Sequence, residues 1–195
     1  MADHVTDEQP LERAANGNTA AFQILYERYR DPIFRFVYRL LGSVEAAEDV
    51  AHDCFLSLIK EPARFDPRRA SLRTYLYAAA RNLAAKRYHS FGRETAIDEL
   101  ANEPRMAEGS EPIKRVLDNE LAGEVERAIA DLPPLQREAL VLFEYEDLSL
   151  AEIGAIVGAD SNTVKARLFR ARDKLRGRLG KYFRIGREAV TFKRA

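Results

Sequence analysis

This chain of 195 residues has no tryptophan, one cysteine and three histidines, and each scarcity removes a class of chemistry. A lone cysteine, Cys54, forms no intramolecular disulfide and supplies no cysteine-rich zinc site. Val50 and Leu58 lie four residues to either side of it, which marks it as an apolar core position. His4, His52 and His89 lack metal-ligand spacing, so no metal is expected. The 10 glycines build no phosphate-cradling loop, and no cofactor is expected. The carboxylates are dispersed rather than paired, so no catalytic residues are assigned and an enzyme is not expected. No apolar run approaches the roughly 20 residues that cross a bilayer. The first residues are acidic and polar, unlike a secretory leader. With 46% apolar and 32% charged residues, the composition fits a globular cytoplasmic protein of one domain or two small ones.

What is present is a strong segregation of charge. The formal net charge is zero, yet residues 61–93 hold 8 basic and 2 acidic side chains, and residues 161–195 hold 12 and 2. Between them, residues 94–126 carry 3 basic against 10 acidic side chains, and residues 127–160 carry 2 against 7. Two basic blocks held apart by an acidic stretch point to two nucleic-acid contacts.

The periodicity is helical throughout, with no sustained alternation of the strand kind. Helices are expected over 11–16, 19–41, 43–60, 72–89, 119–131 and 134–146, before the pair described next. Pro32 predicts a kink in the second of these, or two abutting helices in its place. Residues 90–118 are rich in acids and interrupted by Gly92, Pro104, Gly109 and Pro112, which reads as a linker. The expected architecture is therefore all-α, with two small helical domains joined by an acidic flexible linker. Their expected limits are 1–90 and 119–180, with a linker at 91–118 and a basic tail at 181–195.

The last quarter carries the sharpest pattern. Asp147-Leu-Ser-Leu-Ala-Glu-Ile-Gly-Ala-Ile-Val-Gly158 reads as a short helix that Ser149 caps, with Glu152 three residues on as a capping box requires. Leu150, Ile153, Ile156 and Val157 form its apolar face, and Gly158 suits a helix end that needs positive φ. Ser161 is the expected cap of a second helix, along which Val164, Leu168, Ala171, Leu175 and Leu179 fall on one stripe. Asn162, Lys165, Ala166, Phe169 and Arg170 project from the other side. Two helices around a tight turn, the second strongly basic, are the layout of a helix-turn-helix that reads a DNA groove.

The first domain offers two further surfaces. On the helix at 72–89, Leu72, Leu76, Ala79 and Leu83 are expected to be buried. Thr74, Tyr77, Arg81 and Tyr88 then cluster opposite, flanked by Arg73, Lys86 and Arg87. The preceding loop adds Arg64, Phe65, Arg68 and Arg69. Aromatic rings interleaved with arginines suit stacking on bases and holding of phosphates in a single strand or melting duplex. On the helix before it, Val50, Cys54 and Leu58 face inward. Glu48, Asp49, His52 and Asp53 then form an acidic patch beside Phe55, Leu56 and Ile59. DNA is repelled by such a patch, and a protein partner suits it better.

These residues resemble a known family. Phe22-Gln-Ile-Leu-Tyr-Glu-Arg-Tyr29, Glu48-Asp-Val-Ala-His-Asp-Cys-Phe-Leu-Ser-Leu58, the stretch from Arg64 to Asn82, and Leu132-Pro-Pro-Leu-Gln-Arg-Glu-Ala-Leu140 with the helix-turn-helix occur in order. Together they resemble the bacterial RNA polymerase sigma factors of the extracytoplasmic-function (ECF) group of the sigma-70 family. The chain departs from the family's usual pattern at His52-Asp53, where Gln-Glu is common, at Tyr75 for tryptophan, and at Asn162 for glycine. The resemblance implies core RNA polymerase, through its β′ and β subunits, promoter DNA and an anti-sigma factor as partners. It implies that Asp49, His52, Asp53 and Phe55 dock on polymerase. It assigns Arg64, Arg68, Arg69, Arg73, Tyr77, Arg81 and Tyr88 to the minus-ten element. Ser161, Asn162, Thr163, Lys165, Arg167, Phe169 and Arg170 fall to the minus-thirty-five element. Two other readings stand beside it: an independent DNA-binding regulator with a sensing or dimerising first domain, and a sigma-mimicking protein that sequesters a partner. The acidic patch and the Tyr/Arg helix argue against the former, and the retained cations of the last helix against the latter.

Overall fold

The computed structural model describes residues 7–61, 64–94 and 112–191, with the side chains of 8, 15, 88–94, 112–120 and 181–191 excepted. Among them are eight helices: α1 (Glu8–Ala15), α2 (Thr19–Leu41), α3 (Val44–Lys60), α4 (Leu72–Glu94), α5 (Pro112–Ala130), α6 (Pro134–Glu144), α7 (Leu150–Val157) and α8 (Ser161–Thr191). No helix is long and apolar enough to cross a membrane among the described residues.

Local signals set most boundaries. Asn18 caps α2 by accepting from the Ala21 amide at 3.0 Å, and Ser43 caps α3 by accepting from Ala46 at 3.2 Å. Ser71 caps α4 through the Thr74 amide at 3.1 Å. Gly42 ends α2 at φ 73°, a left-handed position that costs glycine little. Pro32 lies inside an uninterrupted α2. Its missing amide removes one backbone bond, but Leu25, Tyr29, Ile33, Phe36 and Val37 bury the helix on either side of it. Each fully buried side chain of this size contributes about 1.5–3 kcal/mol, enough to hold the helix through the lost bond.

α1 to α4 make one helical unit. Asp7 ties α1 to α2 by accepting from the Arg28 guanidinium and the Tyr29 hydroxyl. α5 to α8 make the second, where Arg178 on α8 reaches Glu124 at 3.3 Å and also Asp131, and Arg172 reaches Glu144 at 2.6 Å. The two units pack together, α4 against α7 and α2 against α6. Their buried side chains form one continuous apolar cluster from Leu25 to Ala171.

Several expectations are corrected. α4 runs to Glu94 and α5 begins at Pro112, so 95–111 of the expected linker lie outside the described residues. α8 continues through 181–191 of the expected tail, and 192–195 lie outside the described residues. The buried stripe of α4 is Leu72, Leu76, Ala80 and Ala84, while Ala79 and Leu83 are half-buried. Thr74 and Tyr77 are buried as well. The reason is that α4 is covered on two sides: by α2 and α3 of its own unit, and by α7 of the other.

Candidate nucleic-acid interface

Three surfaces carry the chemistry. The first is acidic. α3 exposes Glu48, Asp49, His52 and Asp53 along one face, while Val50, Cys54 and Leu58 are buried as expected. Burial pushes the Cys54 thiol up to about 12, so it stays protonated and unreactive. α2 completes a hollow of about 560 Å³ lined by Tyr26, Arg30, Asp31 and Phe34 together with Glu48, Asp49, His52 and Phe55. Phe55 is only 3% exposed. It packs edge-on against Tyr26 at 5.0 Å and Phe22 at 6.5 Å, so it is the floor of the hollow rather than a projecting anchor. Arg87 on α4 bridges the rim, at 2.8 Å from Asp49 and 3.9 Å from Asp53. Tyr26, Arg30 and Phe34 were missed as site residues. Their signal was the period of four that sets them on one face with Phe22.

The second surface is the 64–70 loop with α4. Arg64, Arg68 and Arg69 are exposed. Asp66 shapes the loop by accepting from the Arg68 amide at 3.0 Å and the Arg69 amide reaches back to the Asp66 carbonyl at 3.0 Å. Phe65 packs edge-on against Tyr75 at 5.3 Å. Arg73, Tyr77 and Arg81 lie at i, i+4 and i+8 on one face of α4, and in this arrangement that face meets the second unit. Arg73 donates to the Glu146 carbonyl, and the Tyr77 hydroxyl donates to the Glu146 carboxylate. Arg81 donates to Glu138 at 3.1 Å. Arg39 of α2 stands 3.8 Å from Glu146 and 4.1 Å over the Tyr145 ring. Arg137 of α6 donates to the Leu40 carbonyl at 2.7 Å. Tyr77 is thus a buried residue here rather than the surface residue the sequence suggests. Burial pushes its hydroxyl up, and Glu146 adds to the shift. Burial also pushes the Glu146 carboxyl up, against the bond from Tyr77 and the guanidinium groups of Arg39, Arg35 and Arg73. Glu138 keeps one buried oxygen without a partner. The side chain of Tyr88, expected on the same face, lies outside the described residues.

The third surface is α8. Ser149 and Glu152 form the expected capping box on α7, and Gly158 is left-handed at φ 66°. Gly154 has a separate reason: an added Cβ would stand 2.5 Å from the Ala159 carbonyl oxygen, so the turn closes only over a bare backbone. The cap of α8 is Asp160, not Ser161. Its carboxylate accepts from the Asn162 amide at 2.8 Å, the Thr163 amide at 2.9 Å and the Thr163 hydroxyl at 2.6 Å. These bonds hold the Asp160 carboxyl below its usual range. Asp wins because its second oxygen reaches a further donor. Val164, Leu168, Ala171 and Leu179 are buried and Leu175 half-buried, as the stripe requires. Ser161, Asn162, Lys165, Phe169 and Arg170 are exposed, Phe169 by 70%. Thr163, Ala166 and Arg167 are half-buried. A phenylalanine that exposed on a rigid helix, between two cations, is suited to base methyls and sugar edges.

Comparison with known proteins agrees with this division. Residues 25–94 match the family described as sigma-70 region 2, and residues 122–175 match sigma-70, region 4. The ECF RNA polymerase sigma factor SigW of Bacillus subtilis is 32% identical over 177 residues, covering 87% of this chain and 94% of that protein. The RNA polymerase sigma-H factor of Pseudomonas aeruginosa is 30% identical over 183 residues, covering 90% and 94%. Among solved structures, the sigma factor RpoE of Bartonella quintana, in complex with the anti-sigma factor NepR, shares the fold. The TM-score is 0.67 at 24% identity, over 82% of this chain and 96% of that one. With both regions matched in order and relatives aligned over nearly their whole length, this chain belongs to the ECF RNA polymerase sigma factors, which direct promoter-specific transcription initiation.

Proposed function

We propose that this sigma factor divides its work among the three surfaces. The hollow between α2 and α3 docks on the coiled-coil segment of the polymerase β′ subunit, with Asp49 and His52 at its rim and Phe55 with Tyr26 at its floor, and with the exposed Asp53 beside it on α3. A basic or polar helix fits there, because the rim is acidic and the floor apolar. The loop at 64–70 and the α4 side chains Arg73, Tyr77, Arg81 and Tyr88 bind and open the minus-ten element. Bases of the displaced strand stack on rings while arginines hold phosphates, at about 1–3 kcal/mol per stacked base. The N-terminal part of α8 enters the major groove at the minus-thirty-five element. There Asn162, Lys165, Phe169 and Arg170 meet base edges and phosphates, with Ser161, Thr163 and Arg167 flanking. Domain limits of 1–90 and 119–180, a linker at 91–118 that threads toward the polymerase RNA-exit region, and a basic tail at 181–195 complete this reading, with helix running into both ends of the linker and into the tail. The protein acts in the cytoplasm, has no enzymatic activity of its own, and binds an anti-sigma factor, as RpoE of Bartonella quintana is found in complex with the anti-sigma factor NepR.

The observation that carries the reading is the coexistence of an acidic, aromatic-floored hollow with two basic faces in one chain. A plain DNA-binding regulator needs no such hollow. Run-off transcription with bacterial core polymerase and a pool of genomic promoter fragments tests it. Discrete transcripts that depend on this protein are expected. Their absence, together with tight polymerase-independent binding to a defined duplex, would favour an independent regulator.

A further inference from the structure

The hollow between α2 and α3 is not uniformly acidic. Asp31, Glu48 and Asp49 line it, and among its lining residues stands one arginine, Arg30. Two contacts hold that guanidinium in place. It lies 5.9 Å over the Tyr26 ring, and its Nε donates to Asp31 at 3.1 Å. Both partners belong to α2 itself, where Tyr26, Arg30 and Phe34 follow one another at four-residue steps. The Asp31 bond engages Nε, so the Nη pair at the end of the fork is not part of it. A second cation at the rim, Arg87, is tied to the acids themselves, at 2.8 Å from Asp49 and 3.9 Å from Asp53.

An occupant that lies over Tyr26 also covers Arg30 and takes its charge out of water. A guanidinium covered without an acceptor is strongly unfavourable. In the middle of a docked helix the backbone carbonyls are already bonded within the helix. The acceptor has to be a side chain, and a carboxylate matches the fork best. A helix that offers only lysines meets repulsion at the same point.

We propose that Arg30 is a specificity determinant of docking: it takes a carboxylate from the docked helix, so the hollow selects a helix carrying an acid among its bases over one that is basic throughout. The proposal rests on the reading of this hollow as the polymerase-docking site.

The test compares the parent with Arg30→Gln and Arg30→Lys, each as the full chain, on two probes: bacterial core polymerase and a fluorescein-labelled deca-lysine peptide. Arg30→Gln should weaken polymerase binding about tenfold or more, the scale of a lost hydrogen bond between charged groups. The same variant should bind deca-lysine as tightly as the parent or more so, because one repelling charge is gone. Arg30→Lys keeps the charge without the fork and should fall between the two on polymerase. Melting temperatures should stay level, since the side chain is 59% exposed. Polymerase binding by Arg30→Gln that equals or exceeds the parent's would overturn the proposal. An equal loss on both probes would also overturn it, by marking Arg30 as a prop for the hollow. Asp53→Lys separates this from the underlying reading. If Asp53→Lys abolishes docking while Arg30→Gln does not weaken it, the hollow stands as the docking site and the role of Arg30 falls. If Asp53→Lys docks normally, the docking reading itself fails and takes the proposal with it.

Discussion

Asp53 is half exposed, projects from α3, and has Arg87 at 3.9 Å as its ion-pair neighbour. An exposed carboxylate so placed contributes little to folding, within about 0.5 kcal/mol, so its removal tests docking without disturbing the fold. Asp53→Lys should abolish binding to core polymerase in a pull-down while far-UV circular dichroism and the melting temperature stay unchanged. Retained binding would rule the hollow out as the docking site. Arg170 permits the matching test on DNA. Exposed on α8 beside Phe169, it should cost about 1–3 kcal/mol on the cognate upstream element when changed to alanine, if it reads a base. An equal loss on every sequence would mark it as a phosphate contact. At this scale the sequence was legible wherever a residue's partner is local. Ser149 and Glu152 announce each other three residues apart, and Gly158 announces its own backbone. The burial of Tyr77 is not legible in its neighbours, because the carboxylate that receives its hydroxyl belongs to Glu146, 69 positions away. Ser161 and Asp160 both stand at the helix start and both suit a cap, and only the number of bonds accepted separates them.

At the scale of elements, α7 depends on its cap. The Glu152 carboxyl is held below its usual range, chiefly by the Ser149 hydroxyl and also by the Ser149 amide. A carboxyl lowered by folding stabilises above its ordinary value of 4.5 and loses that contribution as pH falls through the lowered value. Ser149→Ala should therefore cost about 1 kcal/mol at neutral pH. The gap between variant and parent should narrow as denaturant melts are repeated at pH values descending through the acid range below that point. A gap that does not change with pH would mean that Glu152 takes no part. The helix-turn-helix was readable as an element because α7 and α8 each satisfy their own ends. α4 was readable in extent but not in orientation. An amphipathic pattern reveals one buried face, and α4 has a second one that belongs to contact between the units.

For the whole molecule, the continuous apolar cluster has a thermodynamic meaning. Two units that share buried surface unfold together, whereas two beads on a string unfold in sequence. Calorimetry of the free protein should show one transition, and the Glu138→Gln, Glu146→Gln pair should split it or broaden it markedly. Two well-separated transitions in the parent would show that the contact between α4 and α7 adds little in solution. Charge segregation made the two-domain plan legible in the sequence. How the units meet was not, because Arg39, Arg81, Glu138 and Glu146 look like ordinary surface charges until α2, α4 and α6 are brought side by side.

Arg39 of α2 stacks on the Tyr145 ring just after α6 and so adds to the contact between the two units. A polymerase that engages both units at once would hold only molecules whose halves have parted, and the work of parting would be subtracted from the affinity it displays. Tyr145 is 40% exposed and lies outside the docking hollow. Tyr145→Ala should nevertheless let this factor claim a larger share of a limiting polymerase pool when mixed with a rival of the same family. A contact outside the proposed docking hollow would thereby set how well this protein competes for polymerase.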